Sequence, residues 1–164
     1  MALHLDQKLA TCLWFANEAE PAARFYTSIF PRSRIDDVLR WGNVGPGPKG
    51  AVLMVTFSLM GEQVLALNGN TQFPPTPAAS LSVLCDTQAE IDRYWKALLR
   101  SGGKEMMCGW LTDRFGISWQ IVPRALPRMI RDKHQAKADR AMAAMMGMVK
   151  IEGEEIVRAV GSGL

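Results

Sequence analysis

Asn17-Glu-Ala-Glu-Pro-Ala-Ala-Arg-Phe-Tyr-Thr-Ser-Ile-Phe30 decides the fold, because the chain carries a second version of it. Ala22, Phe25, Tyr26, Ile29 and Phe30 recur at helical spacing until Pro31 stops the run. A shift of 69 residues sets Asn17 on Asp86, Arg24-Phe25-Tyr26 on Arg93-Tyr94-Trp95, and Ile29-Phe30 on Leu98-Leu99. The second run places Ile91, Tyr94, Trp95, Leu98 and Leu99 on one face; Asp86 is positioned to cap it and Gly102-Gly103 ends it.

Working outward, short apolar or alternating runs at residues 9–15, 51–59, 63–68, 80–85 and 118–122 have the length and flanking turn residues of strands. A second shift, of 55 residues, sets Gly61 on Gly116 and makes residues 57–67 and 112–122 parallel hairpins. The two shifts differ by 14 residues, which assigns the longer middle to the first copy, in the loop Gly42-Asn-Val-Gly-Pro-Gly-Pro-Lys-Gly50. The prediction is an α+β chain of two βαβββ modules whose curved sheets form a cleft. The modules span residues 1–68 and 79–123. Residues 69–78 link them, since Pro74-Pro75 cannot continue a central strand, and 124–164 form a helical tail.

In the tail, Ala138, Ala141, Met142, Met145, Met146 and Val149 share a helical stripe, interrupted by Gly147. Contact with the modules or with a second subunit is expected of it, since methionine adapts to irregular apolar surfaces. The formal net charge is +3, and the whole excess lies in the tail: residues 1–123 hold 11 basic and 11 acidic side chains, residues 124–164 hold 8 and 5. No aromatic residue follows Trp119, so the basic tail reads as a solvated helix face and no nucleic-acid partner is expected. At 164 residues and 48% hydrophobic, the chain suits a folded protein, and no apolar run approaches the roughly 20 residues of a membrane span. Without a visible secretory signal, and with three cysteines lacking a CxxC spacing, a reduced, cytoplasmic protein is expected.

Two histidines, His4 and His134, leave little for histidine chemistry. A zinc-type site or a Ser-His or Cys-His catalytic pair needs imidazoles converging on one place, and neither histidine lies on a candidate strand. The glycine loop at residues 42–50 lacks the helix and Ser/Thr of a phosphate loop, and no GxGxxG follows a strand, so neither a dinucleotide nor S-adenosylmethionine is indicated. No cofactor is expected and no catalytic residue can be assigned. The candidates for a ligand-binding cleft are Cys12, Trp14, Asn68, Cys108, Trp110 and Gln120. Each tryptophan has core packing as its alternative. Cys108 is either a reactive thiol or an inert one. Gln120, set among Trp119, Ile121 and Val122, must find a partner in a cleft or in a structural hydrogen bond. It points to the opposite face from Trp119, so the two cannot line the same cleft.

Cys12-Leu-Trp-Phe15, Ala19-Glu-Pro-Ala-Ala-Arg-Phe-Tyr26, Phe30-Pro-Arg-Ser-Arg34, Ala66-Leu-Asn-Gly69, Cys108-Gly-Trp-Leu111, Asp113-Arg-Phe-Gly-Ile-Ser-Trp-Gln-Ile-Val-Pro123 and the Met-rich tail resemble the PhnB-like family. That branch of the vicinal oxygen chelate (glyoxalase/bleomycin-resistance) superfamily is often labelled 3-demethylubiquinone-9 3-methyltransferase domain. The resemblance spans about residues 8–155. It implies a homodimer with a ligand cleft built from curved sheets. Metal-dependent members of the superfamily carry His or Gln on the first strand of each module and Glu or His on the last. Here those positions offer Thr11, a serine or alanine near Ser80, Leu65 and Gln120, so only Gln120 matches. A lone neutral amide does not hold a divalent ion. The expectation is therefore a metal-free protein that binds a small organic molecule. The alternatives are a metal-dependent lyase or oxygenase with other ligands, a methyltransferase as the label suggests, or an interaction protein working through its tail.

Overall fold

A computed structural model describes residues 8–69 and 72–161, and His4 lies outside them. The chain divides into two compact units, Met1–Pro75 and Thr76–Leu164. The first is built from β1 (Thr11–Phe15), α1 (Ala19–Ile29), β2 (Arg34–Arg40), β3 (Val52–Leu59) and β4 (Glu62–Asn68). The second contains β5 (Ser80–Cys85), α2 (Gln88–Leu99), β6 (Lys104–Glu105), β7 (Trp110–Thr112) and β8 (Ser118–Pro123), followed by α3 (Leu126–Met129), α4 (Gln135–Met146) and α5 (Gly153–Gly161).

Each unit folds one four-stranded sheet, in the orders β1-β4-β3-β2 and β5-β8-β7-β6. The first and last strands of each module pair in parallel, β1 with β4 and β5 with β8, and the remaining pairs are antiparallel. Both units are thus βαβββ modules, and the two helices begin 69 residues apart. Since side chains alternate across a strand, each sheet has one face under its helix and one free of it. Under α1 lie Phe15, Val55, Phe57, Val64 and Ala66, with Ala22, Ala23 and Tyr26 facing them; Tyr26 stacks on Phe57 with ring centroids 6.3 Å apart. Under α2 lie Val83, Cys85, Leu111, Trp119 and Ile121, facing Ile91, Tyr94, Trp95 and Leu98.

Several local expectations are corrected. Strand β1 begins at Thr11, leaving Leu9 exposed. Strand β2 has no apolar signature because it is an edge: Arg34, Asp36, Asp37 and Arg40 face solvent, which also guards the edge against pairing with another chain. Asp86 does not cap α2. Thr87 does, its hydroxyl accepting from the Glu90 N–H at 3.2 Å, while Asp86 pairs with Arg124. The loop at 42–50 wraps the Trp41 indole: a Cβ at Gly45 or Gly47 would stand 2.1 or 2.0 Å from the ring, so those glycines answer to an aromatic contact. The tail stripe also divides. Ala138 and Ala141 are buried, whereas Met142, Met146 and Val149 are exposed and α4 stops at Met146. Leu126, Ala141, Ile151 and Ile156 form a small core of their own, with Met129, Met145 and Met148 against it. Among the described residues no helix is long and apolar enough to cross a membrane.

Candidate functional site

The helix-free sheet faces carry most of the candidates. In the first unit, Trp14 pairs with Leu67, Leu67 with Met54, and Met54 with Leu39, so one apolar row crosses all four strands. Cys12, Leu65, Thr56 and Asp37 form the next row. Trp14 is 41% exposed and stands edge-on to Phe73, itself exposed, with centroids 6.1 Å apart. The Cys12 thiol is pushed above its ordinary pKa by desolvation, partly offset by a hydrogen bond with the Trp14 indole. It is therefore a poor nucleophile at neutral pH.

Asn68 belongs to the other face. Its Oδ1 accepts from the Ala19 N–H at 2.9 Å and its Nδ2 donates to the Val52 carbonyl at 3.0 Å. One amide therefore ties the end of β4 to the start of α1 and to β3. Such a cap is needed because α1 has no side-chain cap at Glu18.

In the second unit Trp110 stands opposite Gln120, and Gln120 beside Ser82. The Gln120 Nε2 donates to Ser80 Oγ at 2.9 Å. Gln120 thus makes a structural hydrogen bond and also lies on the helix-free face. Ser118, on the same face between Ser80 and Thr112, is 1% exposed, and its hydroxyl has no partner among the described residues. Trp119 points the other way, fully buried. Its indole donates to Asp113 Oδ2 at 2.8 Å, while Asp113 Oδ1 accepts from the N–H groups of Phe115 and Ile117. Asp113 is thereby the anchor of the β7–β8 hairpin.

Cys108 and Gly109 have left-handed φ angles of 61° and 78°, which make a tight turn closed by the Trp110 N–H on the Met107 carbonyl at 3.2 Å. Their own N–H groups donate to the tail, to the Met148 carbonyl at 2.7 Å and the Val149 carbonyl at 2.8 Å. Burial, followed by the charges of Glu90 and Asp86, pushes the third thiol, Cys85, up to about 12.

The structure thus joins Cys12 with Trp14 and Trp110 with Gln120, and places Asn68 and Cys108 in structural roles. Sequence reasoning missed Ser80, Ser82 and Ser118 as neighbours of Gln120, and Leu39 and Met54 as neighbours of Trp14. Only strand register brings these together. Among the described residues, neither helix-free sheet face by itself offers a divalent ion a suitable donor set, because Cys12 lies beside Leu65 and Ser82 beside the neutral amide of Gln120. The carboxylate nearest in register, Asp37, stands on the edge strand, with Leu65 and Thr56 between it and Cys12. Among the described residues no three His, Cys, Asp or Glu side chains gather at one place.

Comparison with known proteins defines the class first. A mutant of the FosX fosfomycin resistance protein from Listeria monocytogenes, solved with Mn(II) and 1S,2S-dihydroxypropylphosphonic acid, shares the fold. Its TM-score is 0.51 at 12% identity, over 70% of this chain and 89% of that one. A protein from Pseudomonas aeruginosa gives 0.58 at 21% identity, over 71% and 96%. The modules have the fold of glyoxalase/bleomycin-resistance-like proteins. Residues 7–122 match the family described as 3-demethylubiquinone-9 3-methyltransferase. A putative member from Bacillus cereus, a PhnB protein, is 38% identical with a TM-score of 0.65, over 71% of this chain and 98% of that one. The chain belongs to this PhnB-like family. No curated protein sequence matches it. The family match stops at residue 122, so the Met-rich tail lies outside it.

Proposed function

We propose that the chain binds a small organic molecule, flat and largely apolar, on the helix-free faces of its sheets, without a metal ion and as a cytoplasmic homodimer. The observation that carries this reading is the pairing of Trp110 with Gln120 on one helix-free face, with the partly or fully exposed Ser80 and Ser82 beside them. An indole gives a ligand a flat apolar surface, and a few fixed polar groups give it orientation. Trp14, Leu67, Met54 and Leu39 offer a second, wholly apolar surface. Metal-assisted chemistry is left out because the groups flanking Cys12 and Gln120 are leucine and serine. Methyl transfer is left out because the strand-to-helix connections, Ala16-Asn17-Glu18 and Asp86-Thr87, contain no glycine with which to cradle a nucleotide-like cofactor.

Thermal-shift screening with aromatic and heteroaromatic compounds tests the proposal. A true ligand raises the melting temperature in proportion to the logarithm of its concentration above its Kd. The increase should vanish in Trp110→Ala and shrink in Gln120→Leu, and elemental analysis of protein purified without chelator should find no stoichiometric metal. A broad library without a hit, or one metal ion per chain, refutes it.

A further inference from the structure

The tail segment at residues 148–153 is fastened to the second module at successive points. Met148 and Val149 present their carbonyls to the Cys108 and Gly109 N–H groups. Gln88, on the first turn of α2, grips the segment with both ends of its amide: Nε2 donates to the Ile151 carbonyl at 3.1 Å and Oε1 accepts from the Gly153 N–H at 3.0 Å. Lys150 pairs with Asp92 on the same helix. Ile151 is fully buried, and a Cβ on Gly109 would stand 2.9 Å from its Cγ1.

The turn so held has a particular place. The Gly109 carbonyl accepts from the Ile121 N–H at 2.8 Å, next to Gln120, and Gly109 precedes Trp110 directly. A non-glycine residue such as Cys108 at φ 61° costs conformational energy and persists only where its surroundings enforce it. Strand β6 is two residues long and β7 three, too short a ladder to enforce it alone.

We infer that the tail is part of the ligand site: through the Met148 and Val149 main chain, with Gln88 as the positioning residue, it locks the turn that sets Trp110 against Gln120. The inference rests on the ligand reading above for what Trp110 is held to do. The holding itself is independent of that reading. In this chain a segment outside the family match holds a turn inside it.

The full-length Gln88→Ala variant releases the segment while leaving Ile151 and Ile156 in their core. Hydrogen exchange at the Cys108 and Gly109 amides should rise about tenfold once both Gln88 hydrogen bonds to the segment are gone, with β1 to β4 unchanged. The Trp110 indole N–H resonance should shift or broaden. For a compound found by the screen, Kd should weaken by a similar factor. Gln88→Glu, which keeps the acceptor for Gly153, should fall between. Unchanged exchange overturns the clasp. Faster exchange with an unmoved Trp110 resonance overturns the positioning role, whether or not any ligand is known. If no compound binds the wild type while exchange and resonance respond as expected, the ligand reading fails and the clasp stands.

Discussion

The two modules share one topology and hold it by different means. In the first, β2 and β3 run seven and eight residues, and the hairpin after them turns on Met60-Gly61, where the Met60 N–H donates to Ser33 Oγ at 2.9 Å. In the second, the corresponding strands shrink to two and three residues. What the ladder no longer supplies comes from two other sources, the Asp113 carboxylate inside the β7–β8 hairpin and the tail carbonyls on the Cys108 turn. The helix caps differ as well. Helix α1 is capped from 49 residues away by Asn68, and α2 locally by Thr87. Topology is therefore shared, while stability in the second module is concentrated in a few polar contacts. That difference makes the second module the more sensitive to single substitutions.

The largest effect expected is at Asp113. Asp113→Ala removes the acceptor of three hydrogen bonds, among them one from the buried indole of Trp119, and leaves those donors without it. Loss of a charged acceptor from buried donors should cost about 4 kcal/mol in urea unfolding. A cost below about 1 kcal/mol would mean that the short hairpin does not depend on it and that the contrast between modules is misdrawn.

Next come the two turn glycines, which separate strain from space. Gly61 has φ +94°, and a Cβ added there would meet nothing within 4 Å, so Gly61→Ala incurs only the left-handed penalty, about 1 kcal/mol. Gly109 has φ +78°, and its Cβ would lie 2.8 Å from the Ile121 carbonyl oxygen and 2.9 Å from Ile151. Gly109→Ala should therefore cost about 3 kcal/mol, and it should speed exchange at the Cys108 amide. Equal losses at the two glycines would show that the tail yields freely and that the turn is not clasped.

A smaller effect separates the caps. Asn68→Ala takes a capping acceptor from Ala19 and a donor from Val52, and should cost about 2 kcal/mol, against about 1 for Thr87→Ala. Chemical denaturation of both variants measures the difference. A reversal would place the dominant cap in the second module.

Much of this contrast can be read in the sequence, and its limits have physical causes. The repeated Arg-Phe-Tyr and Arg-Tyr-Trp helices announce the duplication, because buried helix faces impose their own period. The 55-residue shift finds β4 and β8, where Val64 and Trp119 hold matching core positions. Strand β2 escapes notice because an edge strand is charged for the sake of solubility. Strand β6 escapes, and β7 is caught only at Thr112 where the 112–122 hairpin begins, because two or three residues show no period. Trp110 and Gln120 are legible singly as candidates, yet their pairing follows from register, which the lengths of turns set. Asn68 looks like a ligand group because a polar residue ending a strand has that appearance. Its use as a cap depends on a helix end 49 residues away. The clasp is the least legible feature, since it consists of main-chain carbonyls that carry no side-chain signature.

The smallest effect concerns charge, and it sharpens the comparison by acting on both modules at once. In the first, Glu20 on α1 meets Arg24 and Arg40, and the Arg24 hydrogen bond holds its carboxyl below the ordinary value of 4.5. In the second, the hydrogen bond from Lys150 holds Asp92 below 3.8, and bonds to Asp92 and Glu152 hold Lys150 above 10.5. A carboxylate with a lowered folded pKa contributes stability above its unfolded value, and that contribution is lost as pH falls through the folded one. A raised lysine contributes below 10.5 and loses its contribution above. The Asp92–Lys150 contact is therefore intact between roughly pH 5 and 10 and fades under acid. Being solvent-exposed, both pairs are screened, so the global change should be slight and smaller still in about 1 M salt. Its local trace should be asymmetric. Protonating Glu20 loosens α1 against a long ladder that remains, whereas protonating Asp92 releases one fastening of a tail that holds a turn. After correction for intrinsic exchange rates, acidification from about pH 5 to about pH 3 should speed exchange at Cys108 and Gly109 more than anywhere in β2 or β3. An equal response in both modules would leave Gln88 and the main-chain carbonyls as the whole of the clasp.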